Sequence, residues 1–457
     1  MDKMSSRCSG LKFLLVSITM LMLSVPCAAQ YRLDTLVYAG DSRNITDIVF
    51  LGDGFTQSEL SKFVKKTKEF TDYFFKKEPW KRYRSMFNVF YVQTPSKVSG
   101  AGKTPDAPID NFYGTTFGCA GVDRMPWPTD MDKVYEVLNS TKPDYDLVII
   151  LVNSTKYGGA GNEYYKMMCV SLESSSKETV CHEAGHSFAG LADEYWYDRK
   201  NESPNDARQI NPVKWQRWVG TENVGVYPFE DTEGWYRPHE NCLMRYLNRE
   251  YCAVCRETII EKIHSITKNI VSYTPSVRRN TIETDSSLTF RLNLLVPSPN
   301  TLRVEWKLDD SLVARNIDTL RLSCNDMTEG SHKLVASVED TIQLVRVTGH
   351  SKIHLSTVTW RITNEGSSGV EALESYYDAF WAGPLPISDE LTFGGMTDIA
   401  ETVRMELFDL NGGRVAEGSF APGTPCRLST VSLGAGIYLL RVHIGDRMVY
   451  SRKLLKE

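Results

Sequence analysis

Cys181-His182-Glu183-Ala184-Gly185-His186-Ser187-Phe188-Ala189-Gly190-Leu191-Ala192-Asp193-Glu194-Tyr195 is the stretch from which the rest of the chain can be read. His182 and His186 stand four apart, and on a helix that spacing puts both imidazoles on one face, where they can share a tetrahedral metal. Glu183 then sits beside the same point. Before residue 260 the chain holds only three histidines, His182, His186 and His239, so pairing two of them around a glutamate is a specific use of scarce ligands. On a straight helix Asp193 would lie roughly 16 Å along the axis from His182, so the chain must turn back before a carboxylate can join the pair. Gly190 is the residue able to make that turn.

Upstream, Asp47-Ile48-Val49-Phe50-Leu51 is an apolar run ending in Gly52-Asp53-Gly54, which predicts a buried strand entering a turn. A helix follows: Thr56 and Glu59 form a capping box, and Leu60, Phe63, Val64, Thr67, Phe70 and Phe74 recur at helical spacing before Pro79. Further strands are predicted over 86–92 and 147–152, with a helix near 130–138 between them and another over 257–267. Alternating strands and helices indicate an α/β core. Two aperiodic stretches, 99–128 and 201–240, read as long loops of the kind that line binding sites.

At 457 residues the chain is long for one core, so more than one domain is expected. Hydrophobic residues make up 42% and charged residues 24%, as in ordinary globular protein. With Lys+Arg 52 against Asp+Glu 57 and no long block of either sign, the sequence offers no footprint for nucleic acid. Lys3, Arg7 and Lys12 precede the apolar run 13–25, and Cys27-Ala28-Ala29 supplies a cleavage-like end, so 1–29 reads as an export signal. Of ten cysteines, eight remain after its removal; six of these, Cys119, Cys169, Cys181, Cys242, Cys252 and Cys255, lie before residue 260, and in an oxidising compartment such an even set reads as disulfides of undetermined connectivity. Cys252-Ala253-Val254-Cys255 also fits redox chemistry or a structural metal, but as a lone pair it favours the disulfide reading.

Two histidines and an adjacent glutamate suit hydrolysis of an amide. Zinc lowers the pKa of a water, and the glutamate takes its proton and later passes one to the leaving amine. The run Cys181 to Tyr195 resembles the immunoglobulin A peptidase family of metallopeptidases. So do Phe50-Leu51-Gly52-Asp53-Gly54-Phe55, Thr115-Thr116-Phe117-Gly118-Cys119 and Cys242-Leu243-Met244-Arg245 with Cys252 and Cys255, over about residues 47–262. The resemblance implies a zincin-like fold, Zn2+ on His182 and His186, Glu183 as general base, and a methionine turn at Met244. Metzincins place a third ligand ten residues after the first histidine, which here is Ala192, a residue without a ligand atom. A carboxylate after Gly190 must therefore substitute. We favour Asp193, with Glu194 as hydrogen-bond partner of a ligating histidine, because the shorter side chain restricts a nearby metal more tightly. Tyr195, Arg237, His239 and Arg245 are candidates to stabilise the oxyanion or a substrate carboxylate, and His239 is the remaining candidate ligand.

From about residue 270 the texture changes to short alternating segments such as Leu302-Arg303-Val304-Glu305-Trp306, the patterning of an all-β sandwich. A linker-like stretch at 364–369 precedes a last β segment. That segment resembles the C-terminal sorting domain of type IX secretion cargo in Bacteroidetes, on 386–393, 407–412, 433–442 and Lys453-Leu454. The expected organisation is an export signal (1–29), an α/β zincin-like catalytic domain (30–268), an immunoglobulin-like β-sandwich (269–368) and a second β-sandwich that directs sorting (369–457). The expected protein is secreted or on the surface of a Gram-negative bacterium, with the periplasm as an alternative. Its partners would be a protein or peptide substrate, the export machinery, and glycoprotein or cell-surface glycan through the β domains. The competing functions are a surface binding protein with a structural zinc, and a zinc amidase acting on a non-peptide substrate. An intact Glu183 favours the enzyme, because a closed structural site has no use for a base.

Overall fold

A computed structural model describes residues 31–195, 201–230, 232–366, 380–395, 401–445 and 447–457. The export signal lies outside these residues, as does part of the linker-like stretch. The chain forms two compact units. The first takes the chain up to Val277 with Phe290–Leu320 and Leu334–Thr359; the second takes Arg278–Thr289, Arg321–Lys333 and Trp360–Glu457.

The first unit is built around a six-stranded sheet. Its elements in chain order are β1 (Leu33–Val37), β2 (Thr46–Asp53), α1 (Leu60–Phe74), β3 (Phe87–Val92), α2 (Met131–Thr141), β4 (Leu147–Val152), β5 (Gly159–Asn162), β6 (Met167–Val170) and α3 (Ser176–Ala189). The short ribbon β7 (Tyr227–Pro228) and β8 (Tyr236–Arg237) and the helix α4 (Ala253–Ile266) follow. The strand order is β1-β3-β2-β4-β6-β5. The four inner strands are parallel, and β1 and β5 run antiparallel at the two edges.

The sequence of β4, Leu-Val-Ile-Ile-Leu-Val, is buried at every position, as a strand covered on both faces requires. Leu147, Ile149 and Leu151 pack with Phe63 and Phe70 of α1, Val180 and Phe188 of α3, and Ile259 and Ile260 of α4. Val148, Ile150 and Val152 face the other way, onto Val134, Val137 and Leu138 of α2. The two-residue period of the strand thus sorts one apolar run into two cores. The capping box forms as expected, with the Thr56 amide donating to Glu59 Oε2 at 3.0 Å, and Phe63, Thr67, Phe70 and Phe74 give α1 its buried face. α4 begins at Ala253, with Cys252 at its N-cap, rather than at Glu257, so Cys252 and Cys255 stand at the start of the helix.

The remaining elements are β9 (Ile270–Thr274), β10 (Arg279–Ile282), β11 (Ser287–Leu294), β12 (Leu302–Leu308), β13 (Ser311–Arg315), β14 (Thr319–Ser323), β15 (Gly330–Asp340), the short α5 (Ser351–His354) and β16 (Leu355–Asn364). Within the first unit, β12 pairs antiparallel with β15, Trp306 opposite Ala336, and alternate residues Val304, Trp306, Leu334, Ala336 and Val338 are buried. Asp340 at the end of β15 is buried without being stranded. It accepts from Tyr83 Oη at 2.7 Å and from Thr301 Oγ1 at 2.6 Å, and its Oδ2 lies 3.1 Å from His264 Nε2 of α4.

In the second unit β10 runs parallel to β16, Arg279 opposite Arg361. Its C-terminal part contains β17 (Phe380–Gly383), β18 (Glu390–Gly395), β19 (Val403–Phe408), β20 (Arg414–Phe420), β21 (Cys426–Ser429), β22 (Gly436–Ile444) and β23 (Arg447–Lys456). They form two sheets, β17-β18-β21 and β20-β19-β22-β23, that share a core of Leu391, Phe393, Met405, Leu407, Leu440 and Val442 among others.

Candidate metal centre and active site

α3 carries the His-Glu-x-x-His segment, and nearly every residue of the helix is buried. Gly190 ends it in the left-handed region at φ +64°, where a side chain would be strained, and the chain turns back as the sequence requires. The return brings Asp193 Oδ1 to 3.0 Å from His182 Nε2 and 3.2 Å from His186 Nε2, and the two Nε2 atoms lie 3.2 Å apart. A tetrahedral zinc with bonds of ~2.0–2.1 Å has donor–donor edges of roughly 3.3 Å, so these three atoms fit one face of such a site.

The other ring nitrogens fix the tautomer. His182 Nδ1 lies 3.0 Å from the Leu243 carbonyl and His186 Nδ1 2.6 Å from the Leu191 carbonyl, so each Nδ1 donates and each Nε2 turns a lone pair inward. Three lone pairs then converge, and Asp193 Oδ1 is buried with no hydrogen-bond donor. A cation satisfies all three. Burial pulls the His182 pKa down, but the negative charge of Asp193, 3.0 Å away, and of Glu183 outweighs this and pushes it up to about 9. Burial acts to raise the Asp193 carboxyl, yet His186 and His182 hold it well below the usual carboxylate value. Both shifts express one demand for positive charge at this point.

Glu183 is buried beside the triad, and burial raises its pKa against the opposing pull of the two histidines. The edge strand β5, Gly159-Ala160-Gly161-Asn162, passes close to it. A Cβ on Gly161 would come to 2.7 Å from the Glu183 carbonyl and 3.0 Å from Glu183 Oε2, so glycine is what lets the strand approach the helix. β5, His182, Glu183, His186, Asp193, Tyr195 and Arg124 line a cleft of about 370 Å³. In it Arg124 Nη2 donates to Tyr195 Oη at 3.2 Å. Burial raises the Tyr195 pKa, aided by Asp193 and opposed by Arg124, which keeps the phenol protonated and able to donate.

Met244 is fully buried against α3, and a Cβ on Gly185, the residue before His186, would meet its Sδ at 2.5 Å. The Glu194 amide donates to the Met244 carbonyl at 2.8 Å, which holds the returning chain against this segment. Glu194 itself does not reach either histidine, contrary to the role expected for it. The chain bends at Glu194, so Asp193 faces the histidines while Glu194 faces Asn205 and Cys255. The histidines take main-chain carbonyls as their partners instead.

Three further sequence candidates are not brought to the cleft. His239 Nδ1 accepts from the Asn241 amide at 2.9 Å. Arg245 donates to the Glu240 carbonyl at 2.9 Å, pairs with Glu230 and lies over the Tyr246 ring. Arg237 is buried near Glu230 and the Phe229 ring. These groups organise the 226–246 segment. Arg124 is a polar cleft residue that the sequence did not single out, although it lies within the 99–128 loop expected to line a site. All eight described cysteines are free thiols in this structure, including Cys119, Cys169 and Cys181.

No curated protein matches the chain. Among solved structures, the fibronectin(III)-like modules of Clostridium thermocellum CbhA are 12% identical, with a TM-score of 0.16, over 21% of this chain and 99% of theirs. The SGBP-B of the Bacteroides ovatus mixed-linkage glucan utilization locus, in complex with a mixed-linkage heptasaccharide, is also 12% identical, with a TM-score of 0.14, over 39% of this chain and 41% of its own. The family profile of IgA Peptidase M64 matches residues 35–222, which hold the sheet, α3 and the returning Asp193 segment. The segment that carries the His182–His186–Asp193 cluster thus matches the family model of IgA Peptidase M64, which supports a peptidase.

Proposed function

We propose that the chain is an exported zinc endopeptidase acting on extracellular proteins or glycoproteins, with a zincin-like catalytic domain at 30–268. The observation that carries this reading is the meeting of His182, His186 and Asp193 within 3.2 Å of one another, with Glu183 at the same point of an open cleft. Zn2+ held there would supply Lewis acidity and lower the pKa of an attacking water toward ~7. Glu183, buried and with its pKa raised, takes the proton of that water and delivers it to the departing amine. Tyr195, with its hydroxyl protonated and oriented by Arg124, donates to the oxygen on which charge develops. Met244 forms the apolar floor beneath the ligands.

β5 is the end strand of its sheet, so one edge is unpaired among the described residues and faces the cleft. An extended peptide added along that edge would gain main-chain hydrogen bonds and pass over Glu183, which supports a polypeptide substrate over a small amide. The segment 269–368 is read as an immunoglobulin-like spacer or glycan- or protein-docking module, and 369–457 as a sorting domain recognised by the export machinery. Secretion or display at the surface of a Gram-negative cell follows from that reading.

The experiment is mass spectrometry of new peptide termini in a mixture of extracellular proteins incubated with the purified chain. New termini are expected without chelator, lost with it and restored by Zn2+. Identical termini in all three samples contradict the reading.

A further inference from the structure

A second group of ligating side chains lies away from the cleft. Glu194, Cys242, Cys252 and Cys255 are all buried, and one donor atom from each falls within 4.8 Å of all the others. Cys242 Sγ is 3.6 Å from Cys255 Sγ, which in turn is 3.5 Å from Glu194 Oε1. A tetrahedral site with metal–sulfur bonds of ~2.3 Å spaces its sulfurs roughly 3.8 Å apart. The Cys252 amide donates to Cys242 Sγ at 3.3 Å, and an N–H aimed at sulfur favours thiolate. Cys252 is the N-cap and Cys255 lies in the first turn of the 14-residue α4, where the helix end also favours negative charge.

Two observations weigh against reading these cysteines as a disulfide. Three thiols meet here, so any one pair strands the third. Glu194 is fully buried, and while its Oε1 accepts from Asn205 Nδ2 at 2.9 Å, its Oε2 has no hydrogen-bond partner. A bare carboxylate oxygen beside three sulfurs is a poor arrangement without a cation and a sound one with it.

We propose that Glu194, Cys242, Cys252 and Cys255 form a second metal site, closed and structural, for Zn2+ or another divalent ion that accepts thiolate. Its four ligands come from three segments that the catalytic cluster depends on. Glu194 follows Asp193 directly, Cys242 precedes the Leu243 carbonyl that orients His182, and Cys252 and Cys255 begin α4. A metal here fastens the Asp193 segment and the Met244 segment to the same helix end without touching substrate.

The test is cobalt loading of the metal-free full chain, read by metal analysis and by near-ultraviolet absorption, where sulfur-to-cobalt charge transfer appears. The wild type should bind two equivalents of Co2+ and show the sulfur band. His186→Ala should bind one and keep the band; Cys252→Ser should bind one and lose most of it. If the cleft site is misread but this site is real, wild type binds one equivalent with the band intact. The proposal is overturned by Co2+ binding without a sulfur band, or by peptide mapping of the unreduced chain that finds Cys242 disulfide-bonded to Cys252 or Cys255. Should Cys252→Ser fail to fold, the wild-type and His186→Ala spectra decide the matter.

Discussion

Asp193 and Glu194 are neighbours in sequence and face opposite ways: Asp193 Oδ1 lies 3.0 Å from His182 Nε2, while Glu194 Oε1 accepts from Asn205 Nδ2 at 2.9 Å. Only the first can complete a ligand triad with the histidines. Asp193→Ala is therefore expected to lose the metal that His186→Ala also loses, along with nearly all turnover, whereas Glu194→Gln keeps that equivalent. Metal analysis and turnover of the dialysed full-length variants together measure this, since only loss of the cleft metal abolishes turnover, and the reverse pattern would exchange the two assignments.

Tyr195 donates from the cleft wall with Arg124 at its back. Removing one donor to a developing oxyanion costs ~10²- to 10³-fold in kcat. Tyr195→Phe should show a loss of that size with KM and zinc content little changed. A wild-type kcat in the variant would assign the oxyanion to another group.

Gly161 stands where β5 crosses α3, and a Cβ there meets main chain, the Glu183 carbonyl at 2.7 Å. Backbone cannot swing aside. Gly161→Ala should cost roughly 1–3 kcal/mol in stability and, by pushing β5 off the helix, reduce kcat as well. Urea unfolding and steady-state kinetics give the two numbers; an unchanged variant would mean that the strand already stands clear of Glu183.

Asp340 predicts an acid sensitivity. Burial lowers the His264 pKa despite the attraction of Asp340, with His354 adding to the drop and Glu261 opposing it. Burial acts to raise the Asp340 pKa, but hydrogen bonds from His264, Thr301 and Tyr83 leave it lowered overall. Both groups bind protons more weakly in the folded state. Their stabilisation is full above the unfolded values and is lost as pH falls, first below ~6.5 for the histidine and then below ~4 for the aspartate. Asp340→Ala should cost roughly 3 kcal/mol at pH 7, because it leaves buried donors without an acceptor. Unfolding midpoints followed from pH 8 down to ~2 check this, and a flat wild-type profile is the opposing result.

Much of the first unit is written in local patterns. The apolar runs of β2, β3 and β4 and the Thr56–Glu59 box belong to elements whose burial is set by their own residues, so they stand in the structure near where the sequence puts them. The edge strand β5 leaves little trace, because four residues with two glycines have neither length nor alternation. His182, Glu183 and His186 are legible because helical spacing alone brings them together. Asp193 is legible once Gly190 is seen as a turn. The Glu194 role is not, since it depends on the direction of one side chain where the chain bends. The carbonyls of Leu191 and Leu243 that orient the histidines have no side-chain signature, and Arg124 reaches the cleft only through tertiary folding of an aperiodic loop.

The central claim is that Glu183 moves the proton in a reaction at the His182–His186–Asp193 cluster, and the most direct measurement is the turnover of Glu183→Gln beside its zinc content. The substitution keeps the shape of the side chain and removes the base. The account predicts a wild-type zinc content and a kcat lowered by ~10²- to 10⁴-fold on any protein substrate the wild type cleaves. A variant that retains zinc and cleaves at nearly the wild-type rate would contradict it.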